Sequence, residues 1–131
     1  MKATSNAYDI YYDKSINAVI MKWSGYSDSD EFREGTELML NTLIQNNCSK
    51  VLASISDMTL IGSADQQWLD TTFLPRAMKF GFKEIAIVKP KSYFNKIAVE
   101  NVSEKVSARN LYTAFFDTAD DAAAWLKHSN S

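Results

Sequence analysis

The sequence contains one cysteine and one histidine, and this scarcity excludes several kinds of site. Cys48 alone forms no internal disulfide and no multi-cysteine metal centre. It falls at the predicted end of a helix, where the helix dipole disfavours the thiolate that a nucleophile needs. His128 is expected at the exposed end of another helix. We therefore expect no cysteine-based catalysis.

The chain also lacks a strong net charge and a long apolar run. Its 14 basic and 16 acidic residues give a formal charge of -2, which offers no field for a phosphate backbone. We therefore expect no nucleic-acid partner. No apolar run approaches the roughly 20 residues that span a bilayer, and no continuous apolar segment follows Lys2. These absences predict a cytoplasmic protein without a transmembrane segment.

Known catalytic and cofactor motifs are missing as well. The sequence has no G-x-G-x-x-G, Walker or G-x-S-x-G motif. Its paired acids fall at predicted helix starts, where they stabilise the helix dipole. Asp57 and Lys89 imitate two residues of response-regulator receiver domains, but the acidic pair that would hold Mg²⁺ is missing from the first hairpin. We expect no catalytic residue, no metal site, no cofactor and no enzymatic activity.

The composition that remains is typical of a folded domain. Apolar residues make up 46% of the chain and charged residues 23%. A chain of 131 residues buries about two thirds of its unfolded surface, so a substantial core is expected. No internal repeat, linker or low-complexity segment interrupts it. We predict one domain over residues 1–131, with an ordered core from about residue 8 to about residue 127.

An alternating pattern near the N-terminus predicts an antiparallel hairpin. Tyr8, Ile10 and Tyr12 share one parity, and Val19 begins a second alternating run after the turn "DKSIN". The later runs "KVLASIS", "EIAIVK" and "LYTAFFD" are short and apolar, as expected of buried parallel strands.

Helical spacing of apolar residues separates these strands. The faces are Phe32, Thr36, Met39, Leu40, Leu43 and Ile44, then Leu69, Phe73, Ala77 and Phe80, then Phe94, Ile97, Ala98, Val102 and Val106, and finally "TADDAAAWLKH". The alternation of helices and strands predicts an α/β fold. Its mostly parallel sheet has about five strands, an N-terminal antiparallel hairpin and helices packed on it.

Two residues inside the predicted helices call for a local explanation. Gly35 costs about 1 kcal/mol relative to alanine in a helix, which suggests a close packing contact there. Pro75 removes a helical hydrogen bond and clashes with the carbonyl of Thr71. Either a kink or a second short helix that starts at Pro75 is expected.

Helix starts are also marked in the sequence. Ser63 with Gln66, and Thr118 with Asp121, have the spacing of capping boxes. Asp65 then lies in the first helical turn, where a carboxylate contributes roughly 0.3–1 kcal/mol without any other role.

Polar residues follow the predicted parallel strands, and ligands collect at that edge of an open α/β sheet. Asp57, Lys89, Lys91 and Asp117 are therefore expected to converge there. The alternative is that such residues only cap the following helices.

The element order resembles the STAS-type domain, named for sulfate transporters and anti-sigma factor antagonists. More narrowly, it resembles small stand-alone bacterial STAS-like proteins of the antagonist-like superfamily, over about residues 8–127. The segments that carry the resemblance are "KVLASISDMTLIGSADQQWL", "FLPRAMKFGFKEIAIVKP" and "LYTAFFDTADDAAAWL".

The resemblance implies two motifs. In the antagonists, an Asp-x-Ser motif follows the third strand, and a phosphorylated serine follows a second aspartate. Asp57 and Thr59 match the first motif, and Asp65 matches the second aspartate. Gln66 and Gln67 stand where the serines would be, so we expect no phosphoserine switch.

The leading prediction is a non-enzymatic regulatory or protein-interaction domain with a protein partner. Its candidate contact residues are Asp57, Met58, Thr59, Ser63, Asp65, Gln66, Gln67 and Trp68. The alternative is a site for a small anionic ligand or lipid at the ends of the third and fourth strands, with Lys89, Lys91, Ser92 and Tyr93 as head-group contacts. The basic stretch from Arg76 to Lys96 and a homodimer are left open.

Overall fold

The computed structural model describes the backbone of residues 3–4 and all of residues 7–58, 62–89 and 111–128. Five strands of five to nine residues and a two-residue edge strand form one sheet. The strands are β1 (Ala3–Thr4), β2 (Tyr8–Asp13), β3 (Ala18–Gly25), β4 (Lys50–Met58), β5 (Glu84–Val88) and β6 (Tyr112–Phe116). They lie side by side in chain order.

The helices follow the order that the apolar spacing predicts. They are α1 (Ser29–Gln45), α2 (Ser63–Trp68), α3 (Leu74–Lys79) and α4 (Ala119–Lys127), with a π-helical turn at Leu69–Phe73 between α2 and α3. The predicted helical face from Phe94 to Val106 lies outside the described residues.

The strand directions confirm the predicted fold class. β2 and β3 pair antiparallel, with Tyr8 opposite Trp23 and Asp13 opposite Ala18. The pairs β3–β4, β4–β5 and β5–β6 are all parallel. The alternation of Tyr8–Asp13 with the following run therefore indicated the hairpin correctly.

The sheet carries a hydrophobic cluster on each face. On one face, α1, the π-helical turn and α3 cover the cluster that includes Ile10, Val19 and Val51. On the other face, α4 covers Ile20, Leu52 and other residues of opposite parity. Because both faces of β4 are covered, its apolar run has no simple alternation.

Helix α1 begins with a side-chain cap and buries one face. The Oδ1 atom of Asp28 accepts a hydrogen bond from the amide of Glu31 at 2.8 Å. The predicted face is buried from Phe32 to Leu43. The prediction for Ile44 is wrong, because this residue is 39% exposed in the last turn of the helix.

Gly35 confirms the close contact expected inside α1. A Cβ atom at this position would lie 2.6 Å from Cη2 of Trp23 and 2.9 Å from Cδ2 of Tyr8. The helix approaches the sheet so closely here that only hydrogen fits. This contact offsets the helix-propensity cost of glycine.

Pro75 is the second residue of α3, which begins at Leu74 and continues directly from the π-helical turn, so the expected separate helix starting at Pro75 is replaced by a local widening of one helical run. The preceding π-helical turn is wider than an α-helix, and the amide of Leu74 donates to the carbonyl of Leu69 instead of Asp70. This widening falls where the proline ring would clash with the carbonyl of Thr71 in a regular α-helix. Phe80, predicted on the buried face, is 58% exposed just past the helix, so that prediction is wrong.

The two predicted capping boxes have different outcomes. The Oγ1 atom of Thr118 accepts a hydrogen bond from the amide of Asp121 at 3.2 Å, so Thr118 is the N-cap of α4. The N-cap of α2 is Gly62, and Ser63 is already the first helical residue. The prediction that Ser63 caps α2 is therefore wrong by one position, because Gly62 is the N-cap.

Candidate interaction site

The N-terminal half of α1 and the short helix α2 lie side by side, and Asp65 joins them. The Oδ2 atom of Asp65 accepts a hydrogen bond from the Ser29 hydroxyl at 3.0 Å. Its Oδ1 atom accepts one from Nε of Arg33 at 3.2 Å. Asp65 is only 7% exposed, so its carboxylate is a buried link between two helices.

This placement refines the expectation for Asp65. The residue lies in the first turn of α2, as the sequence predicts. Its side chain, however, points at the first two turns of α1 and not at solvent. Asp65 therefore contributes to a contact surface by fixing the position of α2, while its neighbours are the residues that a partner can reach.

Trp68 extends the same junction into the core. The guanidinium carbon of Arg33 lies 5.3 Å from the centre of the Trp68 ring, within the range of a cation–π contact. Ring centroids are 6.3 Å apart for Phe32 and Trp68, and 5.4 Å apart for Trp68 and Phe73. Arg33 thus lies beside a partly exposed tryptophan ring that also packs against two buried aromatic side chains.

The outer side of this junction is polar and exposed. Ser63 and Gln67 are exposed on α2, whereas Gln66 is half-buried. Asp30 is exposed in the first turn of α1, next to the partly exposed Arg33. We call this set the α1–α2 surface, made of Asp30, Arg33, Ser63, Gln67 and the outer side of Trp68.

The α1 part of this surface is strongly acidic. Residues 28–37 contain five acidic residues and one basic residue. The one basic residue, Arg33, is bonded to Asp65. Glu37 is paired with Arg76 of α3. The field at the start of α1 is therefore negative, although the net charge of the chain is only -2.

Asp57 and Met58 are the last two residues of β4, and Asp57 lies on a different face of the sheet from Asp65 of α2. The register shifts between Lys22 and Ser24, so that β4 contains one extra residue before Asp57. Met58 is buried in the cluster under α1, and Asp57, its neighbour in the strand, is exposed. The strand alternation therefore directs Asp57 to the opposite face from Asp65. Thr59, also a candidate, lies outside the described residues.

Lys89 and Asp117 meet at the carboxyl edge of the sheet, as predicted. The Nζ atom of Lys89 lies 2.8 Å from Oδ1 of Asp117. Asp57 lies on β4 three residues beyond Ser54, which is opposite the last residue of β5. The candidates Lys91, Ser92 and Tyr93 lie outside the described residues. The anionic-ligand or lipid site at this edge stays a prediction.

Sequence reasoning missed the two partners of Asp65. Ser29 and Arg33 are one helical turn apart on α1, so they face the same side. Their spacing is the signal that was available, but a Ser-x-x-x-Arg pattern is common on solvated helices. Only the packing of α2 against α1 shows that the pair has an acceptor.

Buried charges at the other end of the sheet were also missed. Lys50 and Glu84 are each 5% exposed and lie opposite each other on β4 and β5. The Nζ atom of Lys50 donates to the carbonyl of Leu126 at 2.9 Å. This bond fixes the C-terminal end of α4 to the sheet, a structural role far from the α1–α2 surface.

No helix within the ranges 7–58, 62–89 and 111–128 combines the length and apolar character needed to cross a membrane. In that same part of the chain, no three His, Cys, Asp or Glu side chains come close enough together to hold a metal ion.

Comparisons with known proteins agree with this architecture. A family model described as SpoIIAA-like matches residues 18–127. A crystal structure of an uncharacterised protein from Shewanella loihica, of the DUF3478 family with a SpoIIAA-like fold, is 19% identical with a TM-score of 0.55. The alignment covers 95% of this chain and 98% of that one. At this identity the likeness concerns the fold alone. A search of curated proteins finds no match.

Proposed function

Given that the chain belongs to the SpoIIAA-like family, we propose that it is a non-enzymatic regulatory protein that acts by binding another protein. Domains of this family are generally protein-interaction modules and generally not enzymes. The proposal assigns the contact to the α1–α2 surface. The observation that carries it is the buried Asp65, which holds α1 and α2 together as one rigid surface.

The chemistry of the surface indicates what kind of partner fits. The acidic start of α1 favours a partner with a basic contact patch, because complementary charge steers encounter and excludes acidic competitors. Gln67 and Ser63 provide neutral hydrogen-bonding groups beside it. Trp68 with Arg33 provides a flat, partly apolar area of the kind that is enriched at protein interfaces.

A matched pair of charge reversals tests this assignment. Asp30 and Asp120 are both exposed and both the second residue of their helices. Asp30→Lys and Asp120→Lys therefore carry similar costs for the helix dipole, but only Asp30 belongs to the α1–α2 surface. Each tagged variant is used to capture proteins from lysate of the native cells, at low and at raised salt.

We expect a specific protein captured by the wild type and by Asp120→Lys, reduced at least about tenfold by Asp30→Lys and weakened by salt. Capture that is equal for both variants contradicts the assignment to this surface. Capture of nothing by the wild type, across growth conditions, contradicts the interaction function itself.

We also propose that no phosphoserine switch operates in this loop, because Gln66 and Gln67 occupy the positions where the related antagonists have serines. Phosphopeptide mass spectrometry of residues 62–79, from protein isolated from its own cells, is the test. Phosphate on Ser63 would contradict the proposal.

We also propose that the protein is located in a bacterial cytoplasm. Fractionation of the same cells tests this location.

A further inference from the structure

Among the described strands, β6 lies at the edge of the sheet, and the backbone groups of two of its five residues point away from β5. The amide of Tyr112 donates to the carbonyl of Lys83, and the carbonyl of Phe116 accepts from the amide of Lys89. Because these groups alternate along a strand, those of Thr113 and Phe115 point outward. Among residues 7–58, 62–89 and 111–128, no strand pairs with that side.

The sequence of β6 lacks two features that usually protect an outer strand, charge and proline. The five residues of β6, "YTAFF", include no charge and no proline, and β-branched and aromatic residues favour extended structure. Two of its aromatic side chains are exposed, Tyr112 at 69% and Phe115 at 37%. They lie on opposite faces of the sheet, so the exposure follows the edge and not one face.

We propose that β6 pairs antiparallel with β6 of a second copy of this chain, about a two-fold axis at Ala114. In this register Thr113 of each copy lies opposite Phe115 of the other. These are the residues whose backbone groups point outward, so each pair exchanges two hydrogen bonds. The two sheets then form one continuous sheet through an isologous contact.

The register also gives the exposed side chains partners. Tyr112 of one copy lies directly opposite Phe116 of the other, on the face covered by α4. Phe116 already packs against Trp125, with ring centroids 5.9 Å apart, and both are half-buried. The tyrosine of the second copy thus extends an existing aromatic pair. On the other face, Phe115 is covered by Thr113.

Charges at the ends of the strand agree with this orientation. Lys83 is exposed, and its carbonyl accepts the hydrogen bond from the amide of Tyr112 at the start of β6. Asp117 directly follows the end of β6. Antiparallel pairing brings the start of one β6 to the end of the other, so that Lys83 approaches Asp117 of the second copy. A parallel pairing would instead bring together the two Asp117 residues, each already paired with Lys89 of its own chain, and would leave Lys83 far from either of them.

The match of the strand to itself is the reason for choosing a second copy over a different protein. A five-residue pairing is short compared with interfaces that bury about 1,200–2,000 Å², so the dimer should be weak. We expect a dissociation constant on the order of micromolar. The dimer uses β6 and leaves the α1–α2 surface accessible, so it goes beyond the proposed function and fails or succeeds independently of it.

Two cysteine substitutions on the full chain test the register. At the axis, the two Ala114 residues form a non-hydrogen-bonded pair with Cα atoms about 4.5 Å apart, within disulfide range. The two Thr113 residues are diagonal neighbours, roughly 7–8 Å apart and beyond the usual limit. Under mild oxidation, Ala114→Cys should form a disulfide dimer at least about ten times faster than Thr113→Cys. The native Cys48 is buried, and the wild-type protein gives the background rate of disulfide dimer formation through this cysteine.

In a parallel experiment, sedimentation measures the mass of the wild type from about 1 to 500 µM, a range that brackets a micromolar dissociation constant. A concentration-dependent dimer that Phe115→Lys abolishes supports the proposal, with circular dichroism to establish that the variant is folded. A monomer at every concentration overturns it. So does a dimer in which Ala114→Cys and Thr113→Cys react equally, since another surface would then form it. If Phe115→Lys does not fold, the cysteine pair decides alone.

Discussion

The Oδ1 atom of Asp65 lies 3.2 Å from the Nε atom of Arg33, and this ion pair joins the first turn of α2 to the second turn of α1. The carboxylate is buried, whereas the Arg33 side chain is 43% exposed. Loss of the carboxylate therefore leaves the arginine access to water. The pair matters for the position of α2 more than for global stability.

Asp65→Ala should lower the free energy of unfolding by about 1–2 kcal/mol, because the Ser29 hydroxyl and Arg33 both lose their acceptor. Urea unfolding monitored by tryptophan fluorescence measures this. A double-mutant cycle with Arg33→Ala isolates the pair, and we expect a coupling of at least about 0.5 kcal/mol. Strictly additive effects would show that the ion pair contributes nothing.

Gly35→Ala should destabilise the protein, although alanine favours helices by about 1 kcal/mol. The added methyl would lie 2.6 Å from Trp23 and 2.9 Å from Tyr8, both in the packed core. We expect a loss of about 1–3 kcal/mol from overpacking.

Gly62→Ala is the matched control for Gly35, because a Cβ atom there meets nothing within 4 Å and φ is -67°. Its effect should stay within about 0.5 kcal/mol, since the entropic gain and the weaker N-cap oppose each other. Equal losses at the two glycines would contradict the close approach of α1 to the sheet.

Thr118→Ala should lower stability by about 1 kcal/mol, because the amide of Asp121 loses its acceptor. Ser63→Ala should change it by less than about 0.5 kcal/mol, because Ser63 is not the N-cap of α2. Thermal unfolding of both variants separates the two positions. A large loss at Ser63 would restore the capping box that the sequence suggested.

Lys50→Met should cost about 1–3 kcal/mol, because it removes the charged donor that holds the carbonyl of Leu126. Hydrogen exchange should increase in α4 before it increases elsewhere. Lys83→Met, at an exposed lysine one residue before β5, should leave both quantities nearly unchanged. Uniform acceleration of exchange in the Lys50 variant would mean that the bond does not secure α4 in particular.

Strand and helix positions were predictable because apolar and polar residues follow one another with the period of each element, and this pattern is visible in the sequence. Tyr8 to Asp13 alternates, and the structure pairs it as a hairpin strand. The errors came at the ends of helical faces, where Ile44 and Phe80 continue the spacing but are exposed. Periodicity indicates which side of a helix faces inward, but not how far the covering structure extends.

The candidate site was only partly predictable, because its main contacts join residues far apart in the chain. Asp65 was placed correctly in the first turn of α2, yet its partners Ser29 and Arg33 precede it by more than 30 positions. Nor does the sequence show that the extra residue in β4 directs Asp57 to the other face. That the chain forms one domain over residues 1–131, with an ordered core of about 8–127, stays a prediction.

The bond from Lys50 to Leu126 has a consequence for the order of folding. It joins residues 76 positions apart, so closing this contact costs more chain entropy than the contacts between neighbouring elements. During synthesis, Lys50 lacks this acceptor until α4 has left the ribosome. Docking of α4 should therefore be a late event, and the partly made protein should remain open at the sheet face that α4 later covers.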